Sequence, residues 1–270
     1  MKKSIVVSAQ PTKFSALAFK EDFKESIQKV AKLGFDGVEL AIRNPKDVSI
    51  KELEKLIKEN NLEVPAIGTG QAFVEEGISF SDPNEIVRKM ALERIKNQII
   101  FASHFGAQVI IGLIRGKINE CIDRKKIEEW VVNCLKECAE FAKNFNITLI
   151  LEPVNRYESN FINTLSEGVE FIKRVGVSNI GLLADTFHMN IEEVSIYDSL
   201  IQVKDYITYL HFADSNRWAP GFGHLDFKKI VKTLQKINYQ GYISAEILPL
   251  PDQLSAARMT ITTLNQLNIN

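Results

Sequence analysis

Four chemically capable side chains each follow directly on a short apolar run. Residues 148–151 lead into Glu152, 181–184 into Asp185, 209–210 into His211 and 242–245 into Glu246. If those runs are neighbouring strands, four of them aim three carboxylates and an imidazole at one place. Singly, each residue has an ordinary reading: Glu152 paired with a loop arginine, Asp185 capping a turn, His211 hydrogen-bonded in a core, Glu246 ending a strand. Together they conflict, because clustered carboxylates raise one another's pKa, at about 1.36 kcal/mol per unit. A divalent cation removes the conflict. Three oxygens and one nitrogen suit Mn2+, Mg2+ or Co2+ better than they suit a thiolate-rich zinc site.

The elements that must position these groups alternate along the whole chain. Short β-rich apolar runs are expected at 4–8, 37–40, 64–68, 108–114, 148–151, 180–184, 207–212 and 241–246. Helical spacing is expected at 21–33, 49–60, 83–105, 125–144, 165–175, 196–204, 226–237 and 252–267. Gly34 and the pair Asn60 and Asn61 read as helix ends, and Asp82 reads as the cap of a helix opening at Pro83. Eight βα units without a low-complexity linker close most simply into one (β/α)8 barrel over residues 1–270, although an open doubly wound sheet shares the alternation. In a barrel, chemistry sits at the C-terminal strand ends. Arg115 then lies near the mouth after strand four, where it could grip a carboxylate bidentately or pair with a neighbouring helix.

Composition narrows the partners. The chain has 270 residues, 33 Lys and Arg against 34 Asp and Glu, and a net charge of −1. That balance offers no basic face for a nucleic acid. The N-terminal apolar stretch is too short for a signal-peptide core. The longest apolar stretch, 99–114, is interrupted by Ser103, His104 and Gln108 and falls short of the roughly 18 residues that span a bilayer. Cys121, Cys134 and Cys138 include no CxxC pair, which fits packing residues in a cytoplasmic protein. Trp130, on an outer helix, reads as packing or as a contact within a homo-oligomer. Glu39 reads as a buried ion-pair partner inside the barrel.

Longer motifs surround the four groups. LeuGluProValAsnArgTyrGlu at 151–158, AspThrPheHisMetAsnIleGluGlu at 185–193 and HisPheAlaAspSerAsnArgTrpAlaProGlyPheGlyHisLeuAspPhe at 211–227 resemble those of the D-tagatose 3-epimerase-like ketose 3-epimerases. GlyTyrIleSerAlaGlu at 241–246 resembles theirs too. The resemblance covers essentially the whole chain and implies a xylose isomerase-like TIM barrel. It implies that Glu152, Asp185, His211 and Glu246 hold the metal, Mn2+ first, and that Glu152 and Glu246 form the acid/base pair. Glu158, His188 and Arg217 match substrate contacts. IleGlyThrGlyGln at 67–71, together with Arg115, is similar to a branch acting on 5-keto-L-gluconate and D-tagaturonate.

The implied reaction removes the proton beside a ketone and returns one to the opposite face. That proton is roughly 14 pKa units less acidic than a glutamic acid, a gap of about 19 kcal/mol. Charge stabilisation by a dication must therefore supply much of the catalysis. The loop after strand eight is apolar, and Gly221 and Gly223 read as turn residues, so a non-phosphorylated sugar is expected. The rival readings are an aldose–ketose 1,2-isomerase and a sugar-binding barrel without chemistry. An apurinic-site endonuclease would need a histidine-rich multi-zinc cluster, and the chain has 4 His.

Overall fold

The computed structural model describes residues 1–20, 22–267 and 269; the expected helix start at Glu21 lies outside them. Eight parallel strands close into a barrel in sequence order. The first half of the chain runs β1 (Lys2–Ser8), α1 (Phe23–Leu33), β2 (Gly37–Ala41), α2 (Ile50–Glu59), β3 (Ala66–Gly68), α3 (Gly70–Glu76), α4 (Glu85–Ser103) and β4 (Gln108–Ile111). The second half runs α5 (Arg124–Lys143), β5 (Leu149–Leu151), α6 (Leu165–Val175), β6 (Ile180–Asp185), α7 (Thr186–Glu192), α8 (Ile196–Gln202), β7 (Ile207–His211), α9 (Phe227–Lys236), β8 (Tyr242–Ala245) and α10 (Gln253–Gln266). The sheet closes where Lys2 to Ile5 pair with Tyr242 to Ala245. An open doubly wound sheet is excluded.

Two layers of apolar side chains hold this shape. One continuous core lies between the sheet and the helices, including Leu40, Ile99, Leu135, Leu182 and Leu234. A smaller cluster of Ala66, Ile110, Ile150, Leu183 and Tyr209 packs within the sheet cylinder. The strands are covered on both faces, which explains their near-continuous apolar runs. The helices begin on side-chain caps: Asp22 on α1, Ser49 on α2, Asp123 on α5, Asp226 on α9 and Asp252 on α10. Thr164 and Glu167 form a reciprocal capping box on α6. Gly34 ends α1 with φ +87°, a left-handed conformation that glycine adopts without steric cost.

Several boundaries differ from the sequence reading. The helix expected from Pro83 starts at Glu85, capped by Asn84, while Asp82 accepts from the Asn84 amide one turn earlier. The fourth strand stops at Ile111, and a 3-10 turn at Leu113–Arg115 replaces its expected end. The short helices α3 and α7 were not anticipated, since seven residues each carry too little periodicity to register. Both follow strand ends directly and help to build the mouth of the barrel.

Candidate active site

Asp185 and His211 are the last residues of β6 and β7, and Glu152 and Glu246 stand one residue beyond β5 and β8. Glu152, Glu158, His188, His211, Arg217 and Glu246 line one cavity at this end of the barrel. Glu152, Asp185, His188 and Glu246 each offer an atom within 4.8 Å of the others. His211 Nδ1 lies 3.4 Å from Glu152 Oε1 and 3.6 Å from Asp185 Oδ2.

Local backbone features explain how these side chains reach one point. Gly112 leaves room for the Glu152 carboxylate in this position, since a Cβ there would lie 2.5 Å from Glu152 Oε2 and displace it. Asp185 caps α7 through Oδ1, which accepts from the Phe187 and His188 amides, and its buried Oδ2 is left without a hydrogen-bond partner, 3.6 Å from His211 Nδ1. The turn-capping reading of Asp185 therefore holds for Oδ1. His188, on α7, accepts at Nδ1 from the backbone amide and side chain of Asn155, so its Nε2 carries the ring hydrogen. That nitrogen lies 3.7 Å from Asp185 Oδ2.

Arg217 sits on the loop after β7, held at φ +63°, a left-handed conformation unusual for a side-chain-bearing residue. The buried Asp214 carboxylate braces that loop by accepting from the Ser215, Gly221 and Leu225 amides. Gly221, at φ +91°, and Gly223 are turn residues here, as their sequence suggested; a Cβ on Gly223 would collide with Asp214. The Arg217 guanidinium bridges Glu158 Oε1 and Glu246 Oε2, each at 2.7 Å. It also lies 4.8 Å from the Phe187 ring centre and 5.6 Å from that of Phe14. The Glu158–Arg217 pair is thus a part-buried bridge with an aromatic floor, more shielded than a surface ion pair.

Three buried atoms converge without a hydrogen-bond partner: Glu152 Oε1, Asp185 Oδ2 and His211 Nδ1. Buried polar atoms seldom stay unpaired. Two anionic oxygens and a ring nitrogen at these separations are the donor set of a hard or borderline dication. The residues present fit such an ion. Without it, the electrostatics show what it would balance. Burial pulls the His211 imidazole down, but Glu39, Asp185 and Glu152 together raise it well above the ordinary histidine value. Burial pushes Glu246 up to about 8, against the opposing pull of Arg217 and His211.

Arg115 departs from its expected role. It is fully buried, and its guanidinium donates to the carbonyls of Gly112, Phe161 and Ile162 at 2.8–3.1 Å. The 3-10 turn folds it away from the mouth, and it does not line the cavity. Burial brings it down to about 10, with Glu152 and Glu167 opposing. Its role here is to strap the end of β4 to the loop after β5. Leu113 lines the cavity, whereas Leu248 and Leu250, on the apolar loop after strand eight, do not. Phe14 and Leu17, which the sequence did not single out, complete the apolar wall.

Replacing Arg115 with Met should cost about 2–5 kcal/mol in urea unfolding, because three carbonyls lose their donor. KM should then shift equally for neutral and carboxylate-bearing sugars. The raised Glu246 makes a second measurement informative. A carboxyl with a raised folded pKa binds its proton more tightly when folded, so it stabilises the fold below about 4.5, and that contribution is lost as pH rises to about 8. Chelator-treated protein should lose thermal stability across that window, with a shallower slope in Glu246→Gln.

Residues 27–263 match the family described as the xylose isomerase-like TIM barrel. The D-psicose 3-epimerase of Ruminiclostridium cellulolyticum is 34% identical over 83% of this chain and 78% of its own length. The L-ribulose 3-epimerase of Mesorhizobium japonicum is 31% identical over 86% of this chain and 78% of its own. A crystal structure of the Clostridium cellulolyticum D-psicose 3-epimerase with D-tagatose superposes with a TM-score of 0.81 at 28% identity, covering 99% of this chain and 98% of that one. A closed eight-stranded barrel and extensive identity to sugar epimerases lead to one assignment: the chain belongs to the ketose 3-epimerases, carbohydrate epimerases built on the xylose isomerase-like TIM barrel.

Proposed function

We propose that this chain is a cytoplasmic, divalent-metal-dependent 3-epimerase of a non-phosphorylated ketose or keto-hexonate, with residues 1–270 acting as one catalytic domain. The observation that carries this reading is the entry of two glutamates, from the ends of β5 and β8, into one cavity with atoms within 4.8 Å. Inversion at a carbon needs a proton carrier for each face, and the pair provides them. The names of the relatives, D-psicose and L-ribulose 3-epimerase, support the choice of carbon. With Arg115 held behind the cavity, the residue that spoke for a carboxylate-bearing substrate does not reach it, so free ketoses come first.

Glu152, Asp185, His211 and Glu246 would hold the metal, Mn2+ before Mg2+ or Co2+, and it would supply Lewis-acid stabilisation of charge developing at the ketone oxygen. The protein's own side chains do the rest. One glutamate takes the proton from carbon 3 and the other delivers one to the opposite face; the reverse reaction exchanges their roles. Arg217 anchors Glu246 and Glu158 and presents a fixed cation to the sugar oxygens. His188 offers the Nε2 hydrogen that Asn155 leaves on that atom. Val6, Phe14, Leu17, Leu113 and Val154 wall the cavity with apolar surface, which limits water and strengthens the electrostatics inside.

Incubating Mn2+-loaded protein in deuterated water with a panel of ketoses and keto-hexonates should give inverted product labelled at carbon 3. Label at carbon 1 of an aldose would replace this reading with 1,2-isomerisation, and no turnover across the panel would favour a binding barrel. Glu152→Gln and Glu246→Gln should each lower kcat by about 10²–10⁴-fold with the fold intact. Retained turnover in either variant would refute the two-carrier assignment. Independently of turnover, Mn2+ at a hundredfold excess over its Kd should stabilise chelator-treated protein by about 2.7 kcal/mol, read as a rise in Tm.

A further inference from the structure

His188 and His211 both approach Asp185 Oδ2, at 3.7 and 3.6 Å, and proximity alone does not decide which of them serves a cation. Their hydrogen bonds distinguish them. His211 Nε2 lies 3.2 and 3.0 Å from the two oxygens of Glu39. An ionised carboxylate only accepts, so that nitrogen must carry a hydrogen. In the neutral ring Nδ1 is then bare, and it is Nδ1 that faces Glu152 and Asp185. His188 has the same tautomer turned the other way. Its bare Nδ1 is occupied by Asn155, and the nitrogen it shows to Asp185 is the protonated Nε2. His211 presents a lone pair to the site, whereas His188 presents a donor.

Glu39 is itself tightly held. It lies in the middle of β2, is 1% exposed, and accepts at Oε2 from the Tyr209 hydroxyl at 3.0 Å. Tyr209 is fully buried, and its hydroxyl also lies 3.3 Å from Ser4 Oγ. Among the described residues, Glu39 forms no ion pair with a lysine or arginine; its cationic partner is the His211 ring. A buried carboxylate with no other counter-charge gains most when the imidazole it holds faces positive charge on its far side.

We propose that Glu39, braced by Tyr209, is a positioning residue that makes His211 the nitrogen ligand by fixing its hydrogen on Nε2 and its lone pair toward Glu152 and Asp185. The proposal rests on the dication reading of the site and adds a residue to it. Glu39 touches neither the cation nor the reacting carbon; it acts through His211.

The test is a calorimetric titration of Mn2+ into chelator-treated wild type, Glu39→Ala and Asn155→Ala, each first checked for its fold by circular dichroism. Glu39→Ala should weaken Mn2+ binding by about ten- to a hundredfold. Asn155→Ala should stay within about twofold of wild type, because His188 is not a ligand. Unchanged affinity in folded Glu39→Ala, or a loss in Asn155→Ala as large as that in Glu39→Ala, overturns the proposal. Two-bond 1H–15N spectra of wild type with and without Mg2+ give a readout that needs no variant. On loading, the His211 signal should change at Nδ1 while Nε2 keeps its hydrogen, and a change confined to His188 overturns the proposal. The absence of saturable Mn2+ binding in wild type overturns the dication reading and the proposal together. Mn2+ binding that depends on Glu39, without epimerisation of any sugar, would remove the proposed activity and leave the positioning role standing.

Discussion

Like charges crowded out of water are the constraint on which this protein turns. Glu39, Glu152 and Asp185 are buried at or near one end of the barrel, with the half-buried Glu246 and Glu158 at its edge and Arg217 bridging those two. Such a group is costly unless positive charge or protons enter it. Two shifts follow from that crowding: burial pushes the Glu246 carboxyl up to about 8, and the carboxylates around His211 raise its imidazole above the ordinary histidine value. A dication would answer the same demand in a way that also serves chemistry at a carbon beside a ketone. Stability and catalysis thus draw on one electrostatic imbalance, and the rigid barrel prevents it from relaxing by separation of the charges.

The barrel holds the groups because each approaches on a short and independently braced segment. Asp185 serves α7 with one oxygen and turns the other, unpaired, toward His211. Arg217 is fixed by a loop that the Asp214 carboxylate gathers from inside. Glu152 holds its carboxylate against Gly112, where a side chain would displace it. Arg115 ties the end of β4 to the segment after β5 through backbone carbonyls alone. Caps, turns and one buried arginine therefore set the distances among the clustered side chains.

Residues at strand ends were legible in the sequence, while residues within strands or behind the mouth were less so. Glu152, Asp185, His211 and Glu246 stood out because an acid or imidazole breaks an apolar run at the position where a barrel strand ends. Glu39 was legible as a buried partner, but its strand is buried on both faces, so no alternation tells inside from outside or names the partner. Arg115 was misplaced for a related reason. Its position after the fourth strand suggested the mouth, and only the 3-10 turn reveals that its side chain folds back. Asn155 is a loop residue whose value depends on a histidine 33 positions away.

The alternation of eight strands with helices and the set of polar strand ends follow from the sequence by itself, because hydrophobic period and strand-end chemistry are local properties that a linear reading captures; closure of the sheet, which that alternation shares with an open one, is seen only in the pairing of the first strand with the last. Tertiary structure alone decided which nitrogen of each histidine faces the cavity, which oxygen of Asp185 is free, and that Arg115 supports backbone instead of substrate. Those outcomes depend on hydrogen-bond partners brought together from distant segments, and partner choice is set by distance and direction in space, which spacing along the chain does not encode.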